Sequence, residues 1–395
     1  MNVPKLRFKE FQDAWSPCVL NDFVSFAKGK GIAKADIDDD GVNFCIRYGE
    51  LYTTYGQVIK TVVSKTNIAE KDSILSKAGD VIIPASGETQ IDIATAACVT
   101  QNGIILGGDL NILSHSESGE WLAYYLSSTK KFEIAQLAQG NSVVHLYSSQ
   151  LKDLSINKPS HAEQTKIASF LSAVDDKIAA LRQEHDLWQQ YKQGMMQQLF
   201  SQKLRFQDDN GQDFPDWEEK TLGEIVIINP KVKSLPNSFI YIDLESVEKG
   251  RLLLQKKLLL SDAPSRAQRY LQKNDILFQM VRPYQQNNYH FNLNGDYVAS
   301  TGYAQIRTEQ NAQYVYFALH EKSFLDEVIN RCTGTSYPSI NSTDLSAINI
   351  SLPSLAEQTK IAACLSSIDA KINAVAQQLE QARVWKQGLL QQMFV

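Results

Sequence analysis

Apolar residues recur at alternating steps of four and three along two stretches of the chain. In the first, Ile167, Leu171, Val174, Ile178, Leu181, His185 and Trp188 form one stripe, and Met195 and Leu199 resume it. In the second, Ile361, Leu365, Ile368, Ile372, Val375, Leu379 and Ala382 do the same, with Leu389 and Met393 beyond. A mean step of about 3.5 residues is the coiled-coil period. Both stretches open on Ser-x-x-Glu, at Ser160 to Glu163 and Ser354 to Glu357, which is the pattern of a capping box. Pro159 and Pro353 stand just before, where a helix cannot yet have begun. The pattern predicts two helices of roughly 50–60 Å. Each carries an apolar seam that needs cover, and the two seams most simply cover each other. If each helix leaves its own head by the same route, the pair is antiparallel.

Outside the helices the periodicity changes to short apolar runs bounded by turn residues, the mark of strands. In the first head these runs are Val81–Ile83, Gly103–Leu106 and Val143–Val144, and Trp121–Leu126 reads as a short helix. In the second head Leu252–Leu254, Asp275–Phe278 and Ile348–Ile350 are strand-like, and Tyr314–Leu319 reads as the matching helix.

The chain is two copies of one unit. Glu163-Gln-Thr-Lys-Ile-Ala168 recurs as Glu357-Gln-Thr-Lys-Ile-Ala362, and Lys192-Gln-Gly194 recurs as Lys386-Gln-Gly388, both at an offset of 194. The offset holds without a gap from Gly140–Phe200 to Gly334–Phe394, with roughly four positions in ten identical. Leu6-Arg-Phe8 recurs as Leu204-Arg-Phe206, and Trp15 and Leu20 are echoed by Trp217 and Leu222. The expected organisation is a head over 1–158, a long helix over 159–202, a second head over 203–353 and a second long helix over 354–395. The heads resemble each other at their ends and far less in the middle, where two readers of different targets would differ and where simple drift would also act.

Composition narrows the classes. The hydrophobic fraction is 43% in 395 residues, an ordinary globular value for two or three domains. No apolar run is long enough to cross a bilayer, and the start lacks a signal-peptide core, so a cytoplasmic chain without membrane contact is expected. The five cysteines, Cys18, Cys45, Cys98, Cys332 and Cys364, are scattered and without a C-x-x-C, which argues for buried reduced thiols over disulfides or zinc. The net charge is −5, yet phosphate binding needs only a local basic surface. Lys249, Arg251, Lys256, Lys257, Arg266, Arg269, Lys273 and Arg282 face only Asp262 and Asp275 within their stretch.

Polar loops with interleaved aromatics supply candidate chemistry. In the first head they carry Lys28, Lys30 and Lys34, then Arg47, Tyr48 and Tyr52, then Ser86 and Thr89, with Ser142 after Gly140. In the second they carry Lys256, Arg266 and Arg269, then Gln279, Arg282, Tyr284, Gln285 and Asn287, with Thr335, Ser336 and Tyr337 after Gly334. Arg, Gln and Asn can pair with a base edge at two points, while Lys, Ser, Thr and glycine-flanked N–H groups suit phosphates. These twenty residues are the candidate DNA contacts. Glu163, Gln164 and Lys166, with Glu357, Gln358 and Lys360, are candidate partner contacts because the same polar set closes both heads. Helix capping and first-turn charge explain the two glutamates equally well.

The layout resembles the specificity subunit of type I restriction-modification systems. The resemblance rests on Ala162-Glu-Gln-Thr-Lys-Ile-Ala168 and Pro353-Ser-Leu-Ala-Glu-Gln-Thr-Lys-Ile-Ala362, and on the Lys-Gln-Gly-x-x-Gln-Gln-x-Phe endings at Lys192 and Lys386. Gly29-Lys-Gly31, Tyr48-Gly-Glu-Leu-Tyr52, Ile83-Pro-Ala-Ser-Gly-Glu88 and Arg282-Pro-Tyr-Gln285 are similar to segments of such heads. It implies an α+β chain: two mixed α/β target-recognition domains joined by two long helices in an antiparallel coiled coil. It also implies a double-stranded DNA target in two halves, two methyltransferase subunits docked on the helices, and restriction subunits joining them. No cofactor is implied on this chain; S-adenosylmethionine, ATP and Mg are expected on the partners.

The residues themselves offer no catalytic set. Asn229-Pro-Lys231 lacks the rest of an adenine methyltransferase motif, and Gly29-Lys-Gly31 is not a Walker A loop. Asp216 and Glu218 superficially evoke a nuclease, but the first head has only Asp13-Ala-Trp15 there. His145 and His161 are replaced by Ser339 and Leu355 in the second copy. A non-catalytic DNA-recognition subunit is therefore expected. A coiled-coil scaffold whose heads bind proteins is the alternative, and the basic stretch and the Arg/Gln/Asn loops separate the two.

Overall fold

Ser160 and Ser354 do start the long helices. In the computed structural model, which describes residues 3–140 and 143–395, these helices run His161–Phe200 and Leu355–Gln392. At a rise of about 1.5 Å per residue, each is on the order of 60 Å long. Ser160 Oγ accepts the Glu163 N–H (3.4 Å) and Ser354 Oγ accepts that of Glu357 (3.3 Å). The other half of the expected capping box is replaced. Both glutamate side chains turn away from the helix start and bind an arginine and a tryptophan of the preceding segment.

The chain divides into two compact units, Met1–Arg182 with Gln377–Val395, and Gln183–Ala376. Each long helix therefore contributes one half to each unit. The early half of one helix packs with the late half of the other, so the pairing is antiparallel. In the first unit Ile167, Leu171 and Val174 share a core with Leu389, Met393 and Phe394. In the second unit Leu199 shares a core with Ile361, Leu365 and Ile368. An ion pair repeats between the helices: Asp175 with Lys386 (2.5 Å) in the first unit, Asp369 with Lys192 (2.6 Å) in the second.

The first head holds a five-stranded sheet in the order Ser25–Lys28, Leu110–Ser114, Val81–Pro84, Ala97–Val99, Val58–Ile59. A separate three-stranded sheet runs Lys65–Thr66, Asn43–Ile46, Ile105–Leu106. Val81–Pro84 is buried throughout, as its unbroken apolar run requires. The helix Gly119–Ser128 is capped by Ser118, whose Oγ accepts the Trp121 N–H (3.3 Å). It turns Trp121, Tyr124 and Tyr125 inward. Trp15 and Phe394 meet Tyr125 at ring distances of 6.4 and 5.6 Å. Each such aromatic pair adds about 0.5–1.5 kcal/mol beyond area burial.

The second head has two four-stranded sheets. One runs Val226–Ile228, Tyr303–Thr308, Ile276–Gln279, Tyr289–His290; the other runs Lys256–Leu259, Ser238–Ile242, Tyr297–Ser300, Ala267–Tyr270. Asn311 caps the helix Ala312–Ala318 as Ser118 does in the first head, its Oδ1 accepting the Tyr314 N–H (3.0 Å). In both heads the first and last strands pair, Ser16–Val19 with Ser155–Lys158 and Glu218–Thr221 with Asn349–Leu352. The start of each head is thus tied to the foot of its long helix. The strand reading of Leu252–Leu254 is corrected: only Arg251–Leu252 is strand, and Leu253 and Leu254 are exposed. All five cysteines are free, but only Cys45 and Cys98 are buried; the other three are half-buried.

Candidate nucleic-acid interface

The junctions are built first by the repeated residues. In the first unit the Glu163 carboxylate is 2% exposed and accepts from Arg7 Nε (2.7 Å), Arg7 Nη2 (2.8 Å) and Trp15 Nε1 (3.3 Å). In the second, Glu357 is 0% exposed and accepts from Arg205 Nε (3.1 Å), Arg205 Nη2 (2.9 Å) and Trp217 Nε1 (3.0 Å). The pairing holds both arginines more firmly protonated than usual, through the hydrogen bonds to these carboxylates. Gln164 Oε1 accepts the Ser118 N–H (3.0 Å), and its Nε2 donates to Glu117 (2.8 Å) and the Pro159 carbonyl (3.1 Å). Gln358 repeats this on Asn311 N–H (3.1 Å), Gln310 (2.9 Å) and the Pro353 carbonyl (2.8 Å).

These contacts overturn one expectation. Glu163, Gln164, Glu357 and Gln358 are buried in the chain's own junctions and do not offer themselves to a partner. Lys166 is exposed, near Glu10 (3.4 Å) and over the Phe8 ring. Lys360 is half-buried and held by the Gln207 carbonyl (2.8 Å) and Asp209 (2.7 Å).

In the first head the structure brings three segments together. The Gly29-Lys30-Gly31 turn lies against Gly107-Gly108: Lys30 N–H donates to the Leu106 carbonyl (3.0 Å), and a Cβ on Gly29 would sit 1.9 Å from the Gly107 carbonyl oxygen. Only glycine permits that approach. Arg47 and Tyr48 complete a cleft of about 270 Å³ with Gly31, Ile32, Gly108 and Asp109. Arg47 Nη2 is 3.7 Å from Glu50, and its buried Nε has no hydrogen-bond partner among the described residues. Burial, then the neighbouring Tyr48, Glu88 and Asp92, push the Tyr52 phenol up, so it stays a neutral donor. Lys28, Lys30 and Lys34 are exposed. Ser86 is corrected: it is buried in a strand pair opposite His145. Thr89 is exposed, but its hydroxyl is occupied as the cap of Gln90–Ile93, bonded to Asp92. Ser142 lies outside the described residues.

In the second head Arg282, at φ +54°, donates its N–H to the Pro338 carbonyl (2.7 Å), which joins the loop after Ile276–Gln279 to the loop after Gly334. Its guanidinium lies over the Tyr337 ring (4.3 Å). Tyr284, Gln285, Thr335, Ser336 and Tyr337 are exposed around it. Gln279 is corrected from a surface reader to a buried brace. It is 2% exposed, accepts the Asn287 N–H (3.0 Å) and donates to Gln285 (2.9 Å). Asn287 Oδ1 accepts the Lys249 N–H (3.0 Å). The basic stretch is not one patch: Lys256 and Arg269 sit on opposite edges of one sheet, and Arg282 follows a strand of the other. Arg266 and Lys256 are exposed. Arg269 is half-buried with no hydrogen-bond partner for Nε among the described residues, and burial lowers its pKa. A desolvated guanidinium without a carboxylate is suited to a phosphate.

Sequence reasoning missed Gly107, Gly108, Asn288 and His320. The glycine pair carried a signal, since a Gly-Gly turn in the same head as Gly29-Lys-Gly31 offers the close approach that Gly29 needs. Among the described residues no group of three or more His, Cys, Asp or Glu side chains could hold a metal ion, and no helix is long and apolar enough to cross a membrane.

The model of the type I restriction modification DNA specificity domain matches this chain twice, over residues 12–187 and 215–382. The chain belongs to that family. The specificity subunit of the type I restriction enzyme MjaVIII of Methanocaldococcus jannaschii is 24% identical over 418 aligned positions, covering 98% of this chain and 94% of the relative. The crystal structure of a type I S subunit from M. genitalium shares the fold at a TM-score of 0.65, with 17% identity over 100% of this chain and 99% of that one. A chain from a structure of type I complex assembly and conformational transition follows at 0.53, with 18% identity over 95% and 96%. A type I specificity subunit recognises a DNA target and is itself non-catalytic.

Proposed function

We propose that this specificity subunit reads a double-stranded DNA target in two halves, one for each head over residues 1–158 and 203–353. The observation that carries the reading is the contrast within the repeat. The junctions repeat almost atom for atom around Glu163 and Glu357, while the loops of the two heads differ in sequence and build. One frame presenting two different surfaces suits two half-sites. In the first head Lys28, Lys30 and Lys34 suit phosphates, and Arg47 with Tyr48 lines the cleft. In the second, Arg282, Tyr284 and Gln285 are the base-reading set, with Arg269 on phosphate.

The long helices, over 159–202 and 354–395, set the gap between half-sites and seat two methyltransferase subunits, with restriction subunits joining that assembly. S-adenosylmethionine, ATP and Mg belong to those partners, in the cytoplasm. With a net charge of −5, this chain alone binds DNA weakly, and partner subunits add phosphate contacts.

The test is co-expression with the methyltransferase subunit and long-read mapping of methylated adenines. A split motif that disappears on deletion of this gene supports the reading. Methylation indifferent to the deletion contradicts it and favours a protein-binding scaffold. Adding one heptad to both helices should lengthen the unspecified gap or abolish activity; an unchanged gap sinks the spacer role.

A further inference from the structure

Beneath the second head's loop lie two polar side chains that the reading above does not use. Asn288 is 2% exposed, and its Oδ1 accepts the Gln279 N–H (2.8 Å). Its Nδ2 is 3.2 Å from His320 Nε2. His320 Nδ1 lies 2.7 Å from the Tyr316 carbonyl oxygen, which can only accept, so Nδ1 carries the proton. Nε2 is then the acceptor and Asn288 the donor. Burial pushes the imidazole below its ordinary range, outweighing the Tyr316 and Gln286 backbone contacts that favour the protonated ring, and keeps it neutral. The His320 ring sits 4.5 Å from that of Tyr316 and lines a cleft of about 550 Å³ with Gln189, Lys192 and Met196 of the first long helix.

A single line of hydrogen bonds therefore runs from the Tyr316 carbonyl through His320 and Asn288 to Gln279. Gln279 in turn braces Gln285 and the Asn287 backbone. Both ends of the loop are thus fixed from below by one imidazole acceptor. The first head does this differently. Counting from the helix caps Ser118 and Asn311, Ser127 stands where His320 stands, and its hydroxyl bonds Ala96 N–H and C=O (2.8 Å each).

We propose that His320 is a specificity-determining positioning residue of the second head, holding the Gln279–Tyr289 loop in its reading geometry through Asn288. This rests on the loop being a base-reading element. Positioning residues of this kind govern fidelity more than affinity, because a loop freed from its brace still reaches phosphates but no longer rejects a wrong base edge.

The experiment uses the full chain co-expressed with its methyltransferase subunits, with methylation mapped at every genomic copy of the motif and its single-base variants. H320L removes the acceptor and should raise relative methylation of sites altered in the second half by about tenfold, the scale of one bidentate base contact. Sites altered in the first half should be rejected as before. H320Q returns an acceptor toward Asn288 and should recover most of the discrimination. R282A serves as the test of the loop itself. If R282A relaxes the second half while H320L leaves it intact, the positioning role is overturned and the loop reading stands. If R282A leaves the second half unchanged, the loop reading fails and the proposal with it. If H320L lowers methylation equally for variants in both halves, the residue is merely structural and the proposal is overturned.

Discussion

Replacing Glu357 by alanine removes the acceptor on which the second head meets its long helix. The carboxylate is 0% exposed and receives three hydrogen bonds, two from Arg205 and one from Trp217. The variant takes from Arg205 its buried carboxylate, leaving only the exposed Asp216 at 3.8 Å, and leaves the Trp217 N–H without its acceptor. Breaking a buried pair in this way costs about 3–5 kcal/mol. Arg205 is 23% exposed and keeps the Phe214 and Pro215 carbonyls (3.1 and 2.6 Å), so part of its hydration is recovered. The lower end, about 3 kcal/mol, is therefore expected. For a cooperative block of about 200 residues, that lowers the melting midpoint by roughly 6–12 °C. Scanning calorimetry of E357A, E357Q and E163A reads it directly. E357Q keeps one acceptor and the side-chain volume, and should lose about 1–2 kcal/mol. E163A should match E357A, since Glu163 has the same three donors. E10A, at an exposed pair with Lys166, should leave the midpoint unchanged. A midpoint within 2 °C of the parent for E357A, by the ~2–4 °C per kcal/mol scale, would refute the claim that these junctions hold the heads.

Two further outcomes follow from the same geometry. G29A puts a Cβ 1.9 Å from a backbone oxygen, so it should cost about 1–3 kcal/mol by overpacking and should weaken recognition of the first half-site only; chemical denaturation and motif mapping check the two parts. The interhelical pair Lys192–Asp369 should be exchangeable: K192D alone lowers the melting midpoint, and K192D/D369K recovers at least half of the loss in the same scan.

The long helices were legible because a 3.5-residue seam over so many turns admits one reading, and the repeat made it twice over. The stripe thins where the structure thins, at half-buried Ile178, His185 and Trp188. The junction glutamates and glutamines read as exposed partner contacts, and the structure buries all four. Polarity suggests solvent, yet Leu6-Arg-Phe8 and Leu204-Arg-Phe206 deliver a guanidinium to each. The signal was present: one arginine, one tryptophan and one glutamate recur together in both copies. Gln279 misled for the same reason, since a polar residue closing a buried strand reads as a loop residue. The Gly29–Gly107 approach and the His320–Asn288 bond join residues 78 and 32 positions apart. No local pattern encodes such distances, so the loops could be named as candidates while their internal bracing could not.

The central claim is that each head reads its own half of one DNA target. The most direct measurement is to replace residues 1–158 with the corresponding head of another specificity subunit and map adenine methylation in the same host. The account predicts a hybrid motif in which one half changes, while the other half and the gap stay as they were. A motif that changes in both halves, or in neither while methylation persists, would contradict it.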